Sequence, residues 1–371
     1  MKKLAFGLMR LPLAAPDDYA NVDLEAFKRM ADRFLAAGFT HFDTAYFYHG
    51  GQSEVALREA VVRRYSRSAF TITDKLPVHL VNETADVRRF FDEQLERCGV
   101  DYFDYYWLHA MSQRRYEACE QHNIFDFIAR KKAEGRIRTL GFSFHDTAEV
   151  LNRILTEHPE FEYVQLQINY LDWENPDIQS RLCYETAIRH NRKIMIMEPI
   201  KGGSLARLPA AAERIFRDLD PTASMASWAL RFCASLPGVK YVLSGMSTYK
   251  QLEENIETLG DNFQLLSTEE REAVNEVARI VRESVFIPCT ACNYCLDNCP
   301  QSIGIPHYFR LYNELQAGTR PSEAIKADYA KLTRTYGRPD DCLACKFCER
   351  SCPQHIGIVK HLEEVAAAFA E

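Results

Sequence analysis

The sequence lacks a long hydrophobic run, a basic block and a leader-like start. No apolar stretch approaches the roughly 20 residues needed to cross a bilayer. The residues from Met1 to Phe6 do not resemble the apolar core and cleavage site of a signal peptide. Lysine and arginine are dispersed among acidic residues, and the net charge is −7. The sequence therefore predicts a cytoplasmic protein with neither nucleic acid nor membrane as a partner.

The chain does contain ample apolar material and an uneven distribution of cysteine. Apolar residues make up 47 % of the 371 residues, an ordinary globular composition. The length allows one large domain with a small one, or two medium domains. Four of the 12 cysteines are scattered, and we expect small buried hydrophobes there: Cys98, Cys119, Cys183 and Cys233. The rest lie in the last quarter of the chain, and cytoplasmic cysteines seldom form disulfides.

The clustered cysteines form two copies of one motif. Each copy reads C-x2-C-x2-C-x3-C-P, and the second begins 53 residues after the first. The similarity continues past the proline, where 301–305 corresponds to 354–358. Such a repeat is one supersecondary unit used twice. The eight cysteines of the two runs are Cys289, Cys292, Cys295, Cys299, Cys342, Cys345, Cys348 and Cys352.

Their spacing favours iron–sulfur clusters over zinc. Three thiolates spaced in this way bind three corners of a [4Fe–4S] cluster, and in two-cluster ferredoxins the fourth cysteine binds the other cluster. Zinc sites usually come as C-x2-C pairs far apart, so zinc is the weaker alternative. We therefore predict two [4Fe–4S] clusters with crossed ligands. One set is Cys289, Cys292, Cys295 and Cys352, and the other is Cys342, Cys345, Cys348 and Cys299.

The segments around these runs have a helical period. Apolar residues at spacings of three and four occur between 307 and 335, and again after Gly357. This part of the chain resembles the α-helical ferredoxin type of respiratory and heterodisulfide-type reductase subunits. We therefore predict a linker helix at 266–285 and a small α-helical ferredoxin-like domain at 286–371.

The first 265 residues alternate β-branched runs with amphipathic stretches. Alternating strands and helices indicate parallel βαβ units, and eight in about 250 residues is the size of a (β/α)8 TIM barrel. We therefore predict an α/β fold, with such a barrel over 1–265. The first helix is expected to follow Asn21 and to end at Gly38. Candidate strands begin near Leu4, Thr40, Phe70, Phe103, Arg136, Tyr163, Lys193 and Val239.

Polar residues end three consecutive predicted strands, which is where chemistry sits in a barrel. Asp43, Lys75 and His109 end the second, third and fourth strands, and Tyr48 lies in the first of the following loops. Singly, each has an ordinary explanation: a structural ion pair, a core histidine, or a surface tyrosine with Tyr46 as its rival. Together, four suitable residues at one mouth indicate a catalytic site.

Because of these four residues, the first 265 positions resemble the aldo-keto reductase family. The family's tetrad is an aspartate, a tyrosine five residues later, a lysine after strand 3 and a histidine after strand 4. Asp43, Tyr48, Lys75 and His109 occupy these places. The resemblance implies that Tyr48 donates a proton, Lys75 makes it a better acid, Asp43 holds the lysine and His109 orients the substrate. With the cysteine runs, the whole chain resembles iron–sulfur aldo-keto reductases of bacteria and archaea.

The resemblance also implies a nicotinamide cofactor. Gln251 stands where an arginine commonly holds the 2′-phosphate of NADPH, and Phe144 where many members have asparagine, so NADP and NAD both stay open. Flavin stays open too, although no flavin motif is evident. The positions that match the family's cofactor contacts are Ser143, Gln165, Met197, Gly245, Gln251 and Asn255.

The sequence thus predicts an oxidoreductase that reduces a small carbonyl or related molecule, with two clusters relaying electrons. Hydride transfer moves two electrons and each cluster passes one. Coupling therefore needs a flavin, a substrate that accepts single electrons, or a redox partner protein. Two alternatives remain: an electron-transfer subunit whose barrel is a docking scaffold, and a nicotinamide-only reductase with structural clusters. Fold alone does not choose between them.

Overall fold

Eight parallel strands close into a barrel in the computed structural model, which describes residues 2–15, 18–296 and 299–370. Each strand pairs with the next, and β1 pairs with β8. The predicted (β/α)8 barrel is confirmed, with every strand start within one residue of its predicted position. The strands are β1 (Leu4–Gly7), β2 (His41–Asp43), β3 (Thr71–Leu76), β4 (Phe103–Met111), β5 (Ile137–Phe144), β6 (Tyr163–Gln167), β7 (Lys193–Met197) and β8 (Val239–Gly245).

The α-helices of the described ranges follow the strands and continue through the cysteine-containing segment. None of them combines the length and apolar character needed to span a bilayer. They are α1 (Leu24–Ala36), α2 (Gln52–Leu57), α3 (Thr84–Cys98), α4 (Gln113–Gln121), α5 (Ile124–Ala133), α6 (Ala148–Glu157), α7 (Ser180–Arg189), α8 (Ala210–Leu219), α9 (Met225–Ala234), α10 (Tyr249–Leu259), α11 (Thr268–Ser284), α12 (Ile305–Gln316), α13 (Ser322–Thr335), α14 (Phe347–Ser351) and α15 (Ile358–Phe369).

The first helix begins later than the sequence predicts. Val22 forms an antiparallel bridge with Leu13, so the chain remains extended past Asn21. Asp23 is the cap instead, because its carboxylate accepts the backbone N–H of Ala26 at 2.9 Å. The predicted start at Asn21 is therefore wrong by two residues.

Large side chains fill the interior of the barrel. Trp107 is fully buried and packs with Tyr163, Met195 and smaller apolar neighbours. Gly141 on β5 makes room for the indole, since an added Cβ would lie 2.3 Å from a Trp107 ring carbon. The glycine is thus needed for close approach of a neighbouring side chain.

The chain divides into two compact units. The first comprises 1–175, 179–200 and 226–271 and contains the barrel strands. The second comprises 176–178, 201–225 and 272–371, so α8 and the segment 201–209 before it belong with the cysteine runs. Helices α12, α13 and α15 pack on a separate apolar core in the second unit, as the predicted α-helical character requires. The domain boundaries proposed from the sequence, near 265 and 285, stay a prediction.

Candidate active site and cluster cradles

The predicted tetrad residues meet at the carboxyl ends of β2, β3 and β4. The Nζ atom of Lys75 lies 2.5 Å from Oδ1 of Asp43 and 5.1 Å from the centre of the Tyr48 ring. The rings of Tyr48 and His109 are 5.9 Å apart, nearly perpendicular. All four side chains are buried. The structure therefore brings together four residues that are up to 66 positions apart in the sequence.

Two oxygen acceptors hold the lysine. Besides Asp43, its ammonium group donates to the carbonyl oxygen of Thr44 at 2.7 Å. The other Asp43 oxygen accepts from Gln165 Nε2 at 3.0 Å. Burial raises the pKa of Asp43, and the ammonium and these hydrogen bonds oppose that rise. A buried ion pair of this kind is costly unless further hydrogen bonds support it, and here both the carboxylate and the ammonium group have such a partner.

His109 is a neutral imidazole with a nitrogen available for a ligand. Burial, and next the charge of Lys75, lowers its pKa well below the usual value. Phe47 stacks on the imidazole with ring centres 4.9 Å apart and 9° between planes, which fixes its orientation. Its Nδ1 atom has no hydrogen-bond partner among the described residues. Buried polar atoms are normally paired, so an unpaired nitrogen on a ring whose centre lies 5.9 Å from that of Tyr48 suits a bound oxygen-containing ligand.

The residues predicted to hold the nicotinamide lie at strand ends of the same barrel. Ser143 and Gln165 face each other in the register of β5 and β6. The Ser143 hydroxyl oxygen accepts the backbone N–H of Ala110 at 2.7 Å, whereas Gln165 reaches Asp43. Gln165 thus contacts the tetrad directly, which the sequence did not predict. Two further predicted contacts end β7 and β8: Met197 and Gly245.

The remaining predicted contacts belong to α10. Gln251 forms a capping box, in which its side-chain oxygen accepts the N–H groups of Ser247 at 2.8 Å and Thr248 at 3.2 Å. Asn255 donates to the hydroxyl of Ser244 on β8 at 2.9 Å. Both side chains therefore shape the turn between β8 and α10. The amino end of a helix is a suitable place for a phosphate group.

A second buried polar cluster, next to Lys75, was missed from the sequence. Gln94 donates to Glu54 at 3.1 Å and to the carbonyl of Lys75 at 3.0 Å. Asp74 accepts the N–H of Lys75 at 2.8 Å and the thiol of Cys98 at 3.5 Å. Burial, followed by the charge of Asp74, raises the pKa of Glu54 well above its usual value. Burial raises the pKa of Asp74 to about 7.

A signal for this cluster was present in the sequence. Side chains alternate between the two faces of a strand, so Asp74 has to point away from the barrel interior when Lys75 points into it. An acidic residue in the middle of a buried strand needs a partner on the neighbouring helices. Glu54 on α2 and Cys98 on α3 are those partners, and Gln94 on α3 in turn donates to Glu54.

The cysteine runs form two groups, each with members from both runs. One cavity has four cysteines in its lining: Cys299, Cys342, Cys345 and Cys348. In the other group, burial and then the charges of three neighbours raise the pKa of Cys295. That group consists of Cys289, Cys292, Cys295 and Cys352. These are the two sets that crossed ligation of two clusters requires.

The backbone repeats along with the cysteines. Six residues other than glycine have a left-handed conformation at positions 53 apart: Ala291 and Ala344, Asn293 and Lys346, Ser302 and His355. This conformation is unfavourable for such residues, so its double occurrence indicates a functional demand. Turns of this kind aim successive N–H groups at one point and form nests for anionic groups such as iron–sulfur clusters.

Hydrogen bonds to sulfur are consistent with these nests. The N–H of Ala291 donates to Cys289 Sγ at 3.5 Å, and that of Ile303 to Cys299 Sγ at 3.4 Å. N–H donors of this kind stabilise cluster-bound thiolates. In donor type, grouping and backbone, the two cradles fit [4Fe–4S] clusters.

Comparison with protein families agrees with this architecture. The aldo/keto reductase family model matches residues 3–279, and a 4Fe-4S dicluster domain model matches residues 288–357. The chain therefore belongs to the aldo/keto reductase family and is by family an oxidoreductase, with an iron–sulfur domain after the barrel. No curated protein sequence matches the chain significantly.

Solved structures share the barrel fold. The aldo-keto reductase AKR11C1 from Bacillus halodurans, in its holo form, is 21 % identical with a TM-score of 0.56, covering 74 % of this chain and 91 % of its own. An aldo-keto reductase from Klebsiella pneumoniae in complex with NADPH is 20 % identical with a TM-score of 0.57, covering 74 % and 90 %. An aldo/keto reductase from Brucella melitensis is 21 % identical with a TM-score of 0.55, covering 74 % and 94 %.

Proposed function

We propose that this protein reduces a small carbonyl or related compound with a nicotinamide dinucleotide, and that two [4Fe–4S] clusters relay electrons. The observation that carries the reductase part is the buried group of Asp43, Lys75, Tyr48 and His109 with one unpaired imidazole nitrogen. The Klebsiella pneumoniae neighbour in complex with NADPH supports the choice of cofactor.

The side chains have distinct tasks in this mechanism. When bound, the nicotinamide supplies the two electrons and the hydrogen that a carbonyl carbon gains. The Tyr48 hydroxyl donates the proton that the carbonyl oxygen needs. The ammonium of Lys75, 5.1 Å from that ring, stabilises the negative charge left on the tyrosine. Neutral His109 hydrogen-bonds the substrate oxygen and orients it, because Phe47 fixes its plane.

The dinucleotide would lie across the same end of the barrel. Ser143 and Gln165, register partners on β5 and β6, would hold the carboxamide, and the amino end of α10 would receive a phosphate. Gln251 is engaged in capping that helix, and the exposed Lys250 pairs with Glu254 at 3.7 Å. We therefore propose that the preference for NADPH over NADH is weak, because glutamine rather than arginine occupies the capping position 251.

The two cysteine groups would each hold one cluster, and each cluster would pass one electron. Duplication supports a relay over a structural role, because one cluster would be enough to staple a small domain. A partner protein that exchanges single electrons is the simplest external redox partner, since the barrel residues described above support two-electron chemistry.

Anaerobic purification, iron and sulfide analysis, and steady-state reduction of simple aldehydes test the proposal. We expect Tyr48→Phe to lose at least about 100-fold in kcat, the usual scale for a general acid. Tyr46→Phe is the matched control, because its hydroxyl binds Glu93 at 2.7 Å rather than the tetrad. Equal activity in the two variants would refute the assigned role of Tyr48. Addition of NADPH should bleach the cluster absorbance if the clusters receive electrons from the nicotinamide.

A further inference from the structure

The loop after β7 packs on the first cysteine run. Gly202 has φ +65°, and a Cβ added there would lie 2.5 Å from the carbonyl oxygen of Thr290. Thr290 is buried and directly follows Cys289. Such close approach of two backbones requires glycine. The turn that starts at Lys201 therefore lies against the backbone of this run, within the second unit.

Lys201 extends this contact to the second run. Its side chain is almost completely buried, with 4 % of the residue exposed, and Nζ donates to Oε1 of Gln354 at 3.0 Å. Gln354 is also buried and lies two residues after Cys352. Cys289 and Cys352 belong to the same cysteine group. The ammonium group is thus hydrogen-bonded to a residue that closely follows Cys352, and the turn that carries it packs on Thr290, which follows Cys289. Both cysteines belong to the cradle formed by Cys289, Cys292, Cys295 and Cys352.

We propose that Lys201 raises the reduction potential of the cluster in this cradle. The inference rests on the proposed two-cluster function. Reduction adds one electron and one negative charge to a cluster, and no proton is required. A cation that is shielded from water stabilises the reduced form more than the oxidised form. Lys201 is therefore a positioning charge and not a catalytic residue.

The second cradle differs at the equivalent position. The repeat pairs Thr290 with Leu343, and Leu343 is 62 % exposed whereas Thr290 is 4 % exposed. The lysine that lines the second cradle, Lys346, is exposed. Water and salt screen an exposed charge, so its influence on a nearby cluster is small. Two cradles with the same motif therefore have different electrostatic surroundings.

Redox titration of the anaerobically purified full chain, followed by electron paramagnetic resonance, tests the proposal. We expect Lys201→Gln to shift the one-electron equilibrium of one cluster about tenfold toward the oxidised form, which is about 59 mV. The potential of the other cluster should stay the same. Lys201→Arg keeps the charge and should leave both potentials near those of the wild type. Lys346→Gln is the matched control and should also leave both close to their original values.

Several outcomes would overturn the role of Lys201. They are unchanged potentials in Lys201→Gln, equal shifts of both clusters, or a shift of the same size in Lys201→Arg. Loss of cluster assembly in Lys201→Gln and Lys201→Met but not in Lys201→Arg would also overturn it, since the charge would then hold the loop. A wild-type chain without iron would instead refute the proposed function itself.

Discussion

The buried carboxyl pair next to Lys75 predicts an unusual dependence of stability on pH. Asp74 is fully buried, and burial raises its pKa to about 7 from the ordinary value of 3.8. Because the folded-state pKa is higher, the folded chain keeps a proton that the unfolded chain releases. The contribution of this proton to the free energy of unfolding is fully present below the pKa of Asp74 in the unfolded chain. It is lost as pH rises through 7. Each pKa unit corresponds to about 1.4 kcal/mol, so ionising Asp74 costs the fold about 4 kcal/mol by pH 8.

Urea unfolding at pH 5 and pH 8 measures this effect. Integration over that interval gives a loss of about 3 kcal/mol of unfolding free energy attributable to Asp74. Asp74→Asn removes this titration and keeps an oxygen that accepts the N–H of Lys75, so the loss should largely disappear. Tryptophan fluorescence suits the assay, because the three tryptophans lie in the barrel unit: Trp107, Trp173 and Trp228.

Asp92→Asn is the matched control, since Asp92 is an exposed carboxylate that pairs with Arg88 within α3 at 3.4 Å. The control should keep the pH dependence of the wild type. If Asp74→Asn and Asp92→Asn showed the same slope between pH 5 and pH 8, Asp74 would not hold the proton. The remaining candidate would be Glu54, whose pKa is also raised by burial.

Two further variants test the cofactor site and the barrel interior. Gln251→Arg should raise the ratio of kcat/KM for NADPH to that for NADH by about tenfold, because a new charge-assisted hydrogen bond is worth about 1.5 kcal/mol or more; an unchanged ratio would place the 2′-phosphate away from α10. Gly141→Ala should lower the free energy of unfolding of the barrel by about 3 kcal/mol, because its Cβ would overlap the Trp107 ring. Wild-type stability in urea unfolding would show that β5 can move aside.

Local patterns explain why the strands were predictable. A parallel strand buried on both faces gives a continuous apolar run, and the turn residues beside it mark its ends. The start of α1 was predicted less well, because the bridge between Leu13 and Val22 is a contact that no helix-start rule contains. The sequence predicts that the helix follows Asn21, whereas in the structure Asp23 caps it.

Long-range contacts explain what the sequence did not reveal. Gln251 matches a cofactor position in sequence, yet its side chain caps α10. Gln165 was assigned to the nicotinamide, yet it also holds Asp43 across the barrel. The contact between Lys201 and Gln354 joins residues 153 positions apart, and nothing in either local sequence indicates the other. Patterns predict which residues are near a site, but not which hydrogen bonds they make.

Duplication of the cluster motif has a consequence for electron counting. A nicotinamide gives up two electrons together as a hydride, so a flavin, a substrate that accepts single electrons or a redox partner protein has to separate them. Two clusters that each accept one electron can then together hold the pair. If the clusters form a relay, anaerobic reductive titration of the full chain should consume about two electrons per chain. Iron analysis of the same sample should give about eight iron atoms per chain. The double variant Cys292→Ala/Cys295→Ala removes two ligands of one cradle only. It should therefore retain about four iron atoms and accept about one electron.

The double variant also separates a relay from a structural role. The matched control is Cys119→Ala/Cys183→Ala, because both of these cysteines are buried in the barrel unit and belong to neither cradle. The control should keep both electrons and all the iron. The cluster variant could lose NADPH-driven bleaching but reduce aldehydes at the wild-type rate. The clusters would then accept electrons from the barrel site and would not be needed for carbonyl reduction. If bleaching were absent even in the wild type, the electrons would have to reach the clusters from a separate carrier, and the relay would run independently of the nicotinamide.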